Sequence, residues 1–359
     1  MTFIHVSDVH LGITPDSDKP WSLDRSYDIK ETFFNVIKKC NEIKANLLLI
    51  SGDLFHRQPL TSDLNELNEQ FKTIPNTHVV IVSGNSDKIR KNSAVLSYNF
   101  NKNVHYILSE YPTELELYDL NTVIYGFSYY ESEVKKPLVD TINPKENDDK
   151  IHILVAHGGD VNHCPIDFDL LSYKNFNYCA LGHIHQYQDM FEHKIVYPGS
   201  LEPLDMQETK QHGICIGEIH PITGRLEKFR FEPMAKVEYI TLNIKINIDT
   251  TNEDLITSIS NEIFKRNSNN IYTLKIEGER NPDLNFDFSE LSKFRIIETI
   301  DETEPKYDFV ALSKQHPQDM IGAYIRSFHT DVENMSYIQK KALFYGIDAL
   351  LKTIKKPDW

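Results

Sequence analysis

Cysteine is scarce in these 359 residues: Cys40, Cys164, Cys179 and Cys215 are the four, and no two stand in a Cys-x-x-Cys spacing. That argues against a disulfide framework or a thiolate zinc site and favours reduced packing residues in a cytoplasmic protein. Long apolar runs are lacking too, none approaching the roughly 20 residues that span a bilayer. The opening Met1-Thr-Phe-Ile-His-Val-Ser-Asp8 is too short and polar for a secretion signal and reads as a buried strand, so no membrane partner is expected. Positive charge is also short, 38 Lys and Arg against 53 Asp and Glu, a formal net charge of −15. A free-standing nucleic-acid binder is usually basic, because phosphate neutralisation drives non-specific affinity. Composition alone therefore weighs against DNA, unless bound dications or a basic partner change the local field. Internal repeats and low-complexity tracts are absent.

What is present is an ordinary globular composition, 40% hydrophobic and 25% charged, in a chain long enough for one large domain and a smaller one. β-branched runs alternate with helical stretches through the first half. Strands are expected at residues 3–7, 46–51, 78–83, 122–126, 151–156, 178–181, 194–197 and 213–216. A helix is expected over 25–44, where Phe33, Val36, Ile37, Cys40 and Ile43 recur at spacings of three and four. Near-continuous apolar strands between helices predict an α/β layered core. After about Pro233 the pattern changes. Residues 239–249 alternate strictly, with Ile240, Leu242, Ile244, Ile246 and Ile248 on one face. Thr251 and Asn252 can cap a helix carrying Leu255, Ile256, Ile259 and Ile263, and 271–276 returns as a strand. The last stretch reads as helix, with a capping box at Ser336-x-x-Gln339 and an apolar stripe at Leu343, Ile347, Leu350, Leu351 and Ile354.

Five polar clusters sit where expected core strands end: Asp8-Val-His10, Gly52-Asp53-Leu-Phe-His56, Gly84-Asn85-Ser86-Asp87, His157-Gly158 and Gly182-His183-Ile-His185. Strand ends of an α/β sheet are where ligands bind. Carboxylate, imidazole and amide oxygen together suit manganese, iron or zinc rather than a structural thiolate site. Each cluster alone is weak, since a lone His is usually a packing residue and a glycine beside it often only marks a turn. All five in this order carry more. Two dications about 3.5–4 Å apart can clamp a phosphodiester, lower the pKa of a bound water and stabilise in-line displacement.

The order D-x-H, G-D, G-N-x-D, H-G, G-H-x-H resembles that of the calcineurin-like metallophosphoesterases over about residues 1–220. Gly52-Asp-Leu-Phe-His56, Leu181-Gly-His-Ile-His185 and Tyr197-Pro-Gly-Ser-Leu-Glu-Pro-Leu-Asp205 resemble the SbcD-type DNA-repair nucleases, with the YhaO-like branch close by. The resemblance implies a four-layer α/β sandwich core flanked by helices over 1–233. It further implies a smaller α+β capping, DNA-facing domain over 234–300 and a helical segment over 301–359 that docks a coiled-coil ATPase similar to SbcC. It implies that Asp8, His10 and His185 hold one divalent ion, Mn2+ by preference. Asn85, His157 and His183 would hold a second, and Asp53 would bridge the two. Such proteins are usually homodimers through helices of the phosphoesterase domain.

One residue departs from the family pattern. Where the family has Gly-Asn-His-Asp this chain has Gly84-Asn-Ser86-Asp87. The family's His, paired with the Asp, assists leaving-group departure, and general acid–base help is typically worth about 10²–10⁴-fold. Metal binding is expected to persist and turnover to be strongly impaired, unless another histidine such as His56 supplies the proton. Lys88, Arg90 and Lys91 are candidate phosphate contacts, as are Arg25 and Tyr27 beside Trp21, while His5 and His212 read as structural. The expected function is a metal-dependent DNA exonuclease and endonuclease subunit. The alternatives are a phosphoesterase acting on small diesters or phosphoproteins, and a non-catalytic DNA-tethering subunit.

Overall fold

The parallel strands set the architecture. The structure, a computed structural model, describes residues 1–146, 148–328 and 332–354 and divides into two compact units, Met1–Tyr239 and Ile240–Trp359. The first unit runs β1 (Thr2–Val6), α1 (Ser22–Glu42), β2 (Leu47–Ser51), α2 (Thr61–Phe71), β3 (His78–Val82), β4 (Val104–Tyr106), β5 (Thr113–Leu117) and β6 (Thr122–Gly126). It continues through β7 (Ile151–His157), α3 (Phe168–Tyr173), β8 (Tyr178–Gly182), β9 (Gln188–Met190), β10 (Ile195–Tyr197), β11 (Gly213–Ile219) and β12 (Leu226–Pro233). Two six-stranded sheets result, ordered β12-β11-β1-β2-β3-β4 and β5-β6-β7-β8-β10-β9. Within them β1 to β4 are mutually parallel, as are β6, β7, β8 and β10.

Alternate residues of one strand serve two different layers. Leu47 and Leu49 face inward, meeting Val80, Val82, Ile153, Val155 and Ala180 between the sheets. Leu48 and Ile50 face outward with Val79 and Ile81, under Ile29, Phe33 and Val36 of α1 and Leu64 and Leu67 of α2. The far face of the second sheet, with Leu154, Ala156, Cys179 and Leu181, is covered by Val139 and by Leu171 of α3. Helix, sheet, sheet and helix make the four layers. Because both faces of each central strand are buried, its sequence is apolar throughout instead of alternating. Helix α1 stops at Glu42, short of the anticipated residue 44, because Lys44 turns to φ +53° and Ala45 N–H returns to Cys40 O at 2.8 Å.

Arg25 is not a phosphate contact. It is fully buried, its Nη1 donating to Glu202 Oε2 at 3.2 Å and its Nη2 to Pro203 O at 2.9 Å. Glu202 Oε1 also accepts from Thr32 Oγ1 at 2.6 Å and from Lys236 N at 2.7 Å. The ion pair ties the Tyr197–Asp205 segment to α1. Tyr27 is exposed, and Trp21 is largely buried with its indole N–H on Asp16 Oδ2 at 2.9 Å.

The second unit contains a three-stranded sheet ordered β13 (Tyr239–Ile246), β14 (Ile271–Arg280) and β15 (Arg295–Pro305), with β14 and β15 parallel. Its alternation follows the sequence reading over 241–246, with Leu242, Ile244 and Ile246 buried and Thr241, Asn243 and Lys245 exposed, but Ile240 is only half-buried and the strand ends before Ile248, which is exposed. Helix α4 (Asn252–Phe264) is capped by Thr251 and Asp254, which exchange hydrogen bonds, and packs Leu255, Ile256, Ile259 and Ile263 onto that sheet. Among the described residues three α-helices follow, α5 (Phe309–Gln315), α6 (Met320–Ser327) and α7 (Tyr337–Ile354). The stripe anticipated as a docking face is already covered. Leu343, Ile347, Leu350 and Leu351 of α7 pack with Ile321, Tyr324 and Ile325 of α6. The Ile354 side chain and residues 355–359 lie outside the described residues. All four cysteines are buried and free, and among the described residues no helix is long and apolar enough to cross a membrane.

Two stability predictions follow from buried ionisable groups. Glu202→Ala removes the buried partner of the Arg25 guanidinium and leaves it, as carboxylate contact, only the longer one to Asp28 Oδ2 at 3.5 Å, and urea denaturation should show a loss of about 3–5 kcal/mol. His5 is buried between Tyr178 OH at 2.9 Å and Ser51 Oγ at 2.8 Å, and burial lowers its pKa from 6.5 to about 3. Between those values the unfolded chain takes up a proton that the folded chain refuses, so this histidine makes stability fall as pH falls through that window. The metal-free His5→Gln variant should therefore lose less of its urea midpoint between pH 7 and pH 5 than the parent does.

Candidate metal centre

All five polar clusters lie at the C-terminal ends of parallel strands. Asp8 and His10 follow β1, Asp53 follows β2, Asn85 follows β3, His157 closes β7, and His183 and His185 follow β8. The first two loops run side by side, with Asp8 N–H on Gly52 O at 3.2 Å, His10 N–H on Asp53 O at 2.9 Å and His56 N–H on Leu11 O at 3.0 Å. Local backbone strain concentrates here. Asp8, His10, Asp53 and His183 have positive φ values of 49°, 51°, 48° and 99°. Non-glycine residues held in that region cost energy and persist only where the surroundings over-determine them, typically at functional sites.

The seven anticipated ligands are brought together as two sets around one carboxylate. On one side His10 Nε2 is 3.3 Å from His185 Nε2, His185 Nε2 is 3.8 Å from Asp8 Oδ1, and Asp53 Oδ2 is 3.6 Å from His10 Nε2. On the other, Asn85 Oδ1 is 2.9 Å from His157 Nε2 and 3.2 Å from His183 Nδ1, and Asp53 Oδ1 is 3.7 Å from His157 Nε2. Donor atoms of Asp8, His10 and His185 lie within 4.8 Å of one another, as do those of Asp8, Asp53 and His157. The glycines leave room for this. A Cβ on Gly84 would stand 2.2 Å from Asp53 Oδ1 and 2.7 Å from His157 Nε2, and one on Gly52 would stand 2.3 Å from His157 Nδ1.

The charges are those of a cation site. Asp8 and Asp53 are almost completely buried. Burial works to raise the Asp53 carboxyl, but His157 and His10 on its two flanks and two bonds from Ser86 hold it below the usual carboxylate range. Burial lowers His10 to about 4 against the pull of Asp53 and Asp8, so its imidazole is neutral and ready to ligate. His185 behaves oppositely. Burial would lower it, yet the Glu208 hydrogen bond and the Asp8 charge raise it to about 9, so a cation bound there would displace the proton of its inner nitrogen. Hard and borderline donors, two buried carboxylates and cramped imidazoles fit divalent ions of the manganese, iron or zinc type.

The remaining sequence candidates fall into different places. Ser86 is at the centre, its Oγ donating to Asp53 Oδ2 at 2.7 Å and its N–H to Asp53 Oδ1 at 2.9 Å. Asp87 is not turned toward it. That buried carboxyl accepts Gly84 N–H at 2.8 Å and Phe55 N–H at 3.2 Å, stitching the second and third loops together. Burial and nearby Asp53 raise its pKa to about 8. His56 is exposed at the rim with Nδ1 3.4 Å from His10 Nδ1. Lys88 folds back toward Asn85 O at 3.4 Å, while Arg90 and Lys91 are exposed. Two acids that the sequence did not single out also touch the centre. Asp160 Oδ2 is 2.7 Å from His183 Nε2, and Glu208 Oε1 is 2.7 Å from His185 Nδ1. Their only signal in the sequence is position, Asp160 two residues beyond His157-Gly158 and Glu208 three beyond the Tyr197–Asp205 segment.

Residues 1–187 match the calcineurin-like phosphoesterase family. The DNA double-strand break repair protein Mre11 of Methanocaldococcus jannaschii is 30% identical over 229 residues, 59% of this chain and 59% of that protein. Mre11 of Methanococcus maripaludis is 24% identical over 377 aligned positions, 98% of this chain and 97% of its own. The uncharacterised metallophosphoesterase YhaO of Bacillus subtilis is 28% identical over 248 residues, 62% of this chain and 58% of that protein. The chain thus spans about three-fifths of the first and third of these relatives.

Gly84→Ala tests how tightly the centre is built. The added methyl should displace Asp53 and His157, cost about 1–3 kcal/mol of stability by overpacking, and weaken Mn2+ uptake in a calorimetric titration.

Proposed function

The chain belongs to the calcineurin-like phosphoesterases, and from that premise we propose that it hydrolyses DNA phosphodiesters with two divalent ions, as the nuclease subunit of an SbcC/SbcD-type double-strand-break repair complex. The observation that carries this reading is Asp53, whose two oxygens face two separate donor sets. Asp8, His10 and His185 would hold one ion and Asn85, His157 and His183 the other, with Asp53 between them. Manganese suits these donors, and when bound the pair supplies Lewis-acid activation of water and neutralises developing phosphate charge. Two carboxylates leave two dications with excess positive charge, so a phosphate is attracted locally despite the net charge of −15. The names of the Mre11 relatives, double-strand break repair proteins, favour DNA as the diester.

Hydrolysis breaks one P–O bond, and the departing oxygen must collect a proton. Ser86 does not supply it efficiently. A serine hydroxyl is a poor acid and carries no positive charge, and this one is already committed to Asp53 Oδ2. His56 stands at the rim as the nearest alternative donor from this loop cluster. The chain as it stands is therefore proposed to bind ions and DNA with strongly reduced turnover. Lys88, Arg90 and Lys91 are assigned to phosphate contact. The capping, DNA-facing role expected over 234–300 is assigned to the β13–β15 module, whose last strand runs on to Pro305. The segment over 301–359, helical from Phe309, is assigned to an SbcC-like coiled-coil ATPase, through the exposed Tyr337, Ile338 and Tyr345 rather than the buried stripe. A homodimer at the nucleoid completes the reading.

Ser86→His should raise Mn2+-dependent degradation of linear DNA by about 10²–10⁴-fold over the parent chain, measured beside turnover of a chromogenic small diester. A gain confined to the small diester would replace DNA by a small substrate. Metal and DNA binding with no gain on either would favour the tethering reading, which the serine itself suggests.

A further inference from the structure

The two histidines of the Gly182-His-Ile-His185 turn repeat one arrangement. His183 presents Nδ1 to Asn85 Oδ1 at 3.2 Å and Nε2 to Asp160 Oδ2 at 2.7 Å. His185 presents Nε2 to His10 Nε2 at 3.3 Å and Nδ1 to Glu208 Oε1 at 2.7 Å. Each ring has one nitrogen on the centre and the other on a carboxylate from a different loop. Neither acid belongs to the seven donors, and the hydrolysis outlined above does not use them.

We propose that Asp160 and Glu208 are positioning residues for metal binding, each fixing the tautomer and ring orientation of one histidine, so that its inward nitrogen offers a lone pair to a divalent cation. This rests on the two-ion reading above. A neutral imidazole carries one N–H. When the outer nitrogen donates it to a carboxylate, the inner nitrogen is left as the acceptor, and the nearby negative charge makes it a better ligand.

Both carboxylates are held in place. Glu208 Oε2 accepts from Ser200 Oγ at 2.7 Å and from Leu204 N at 3.1 Å. Ser200 Oγ, having donated to Glu208, is free to accept from His212 Nδ1 at 2.9 Å, and the same nitrogen lies 3.0 Å from Ser200 O. This accounting places the His212 proton on Nδ1, and its buried Nε2 has no partner in the structure. A continuous chain, His212–Ser200–Glu208–His185, thus runs from the core to the centre. Asp160 is fixed more locally. Its Oδ1 accepts Asn162 N–H at 2.7 Å and His163 N–H at 2.9 Å, and the His163 ring lies against that of His183 with centroids 4.3 Å apart.

The test is titration of the full metal-free chain with Mn2+ alone by calorimetry, with Co2+ absorption as a second readout of ligand geometry. The parent should bind two ions. Glu208→Gln keeps shape but removes charge, and should weaken one ion by about 10–100-fold. Asp160→Asn should weaken the other by a similar factor, and the double variant should show both losses. Glu208→Asp should recover part of the affinity, and Ser200→Ala should show a smaller loss. Each variant should shift the Co2+ bands while leaving the melting temperature of the metal-free chain within a few degrees of the parent, which a purely structural role would not produce. Two ions bound by the parent with unchanged affinities in both variants would overturn the positioning role alone. A third Mn2+ lost in Asp160→Asn would overturn it for Asp160, because Asp160, His163 and His183 would then form a cation site of their own. Fewer than two ions bound by the parent would overturn the two-ion reading and this inference with it.

Discussion

The centre depends on one buried carboxylate held between imidazoles from two different sheets. Asp53 is 2% exposed, with His10 from the end of β1 on one side and His157 from the end of β7 on the other. An unpaired carboxylate at that depth would be costly, so the site must always bring compensating groups with it. The protein meets this requirement with hydrogen bonds from Ser86 and two imidazoles, and a cation is the stronger form of the same compensation. Because the compensating groups come from opposite sheets, the sandwich must be closed before the site exists.

That constraint explains why the core is built as it is. Ligands projecting from the ends of parallel strands can be placed accurately only if those strands do not shift. β2 stands over β7 and β8, β3 stands over β7, and each central strand is packed on both faces. The layers also sustain four residues at positive φ, each costing on the order of 1–3 kcal/mol. Asp87 contributes to the same end from beneath. Its backbone bonds fix the loop that carries Asn85 and Ser86 against the loop that carries Asp53, so two strand ends move as one.

What could be read from sequence was what local pattern encodes. The central strands were legible because burial on both faces leaves long apolar runs, and the polar clusters stood out because they interrupt those runs abruptly. Helix α2 escaped because its segment, Thr61–Phe71, is largely polar, and only Leu64, Leu67 and Phe71 mark its buried side. Edge strands β4, β5, β9 and β12 escaped because short or exposed strands need little hydrophobicity. Burial of charge was the least legible quantity. Arg25 resembles any surface arginine until Glu202, 177 positions away, is seen beside it. Glu208 and Asp160 look like solvated acids until the ring nitrogens 23 positions along the chain are located. The α7 stripe was read correctly as apolar, but a helix pattern does not say whether its own domain or a partner covers it.

Ser86 bears on both halves of this picture. A histidine at that position would bring a larger, ionisable ring next to Asp53. Serine does the reverse. It is small, neutral, and donates two hydrogen bonds to the carboxylate without adding charge, one from Oγ and one from the backbone. Charge-assisted bonds of this kind favour the ionised form of Asp53, the form that a pair of dications requires. Serine at this position therefore lacks a group suited to proton transfer, while its two bonds keep Asp53 in the form the proposed ion binding needs. On the proposed reading, loss of turnover and retention of metals would be two consequences of one change, separable because the proton donor and the proposed cation holders are different residues sharing a single carboxylate.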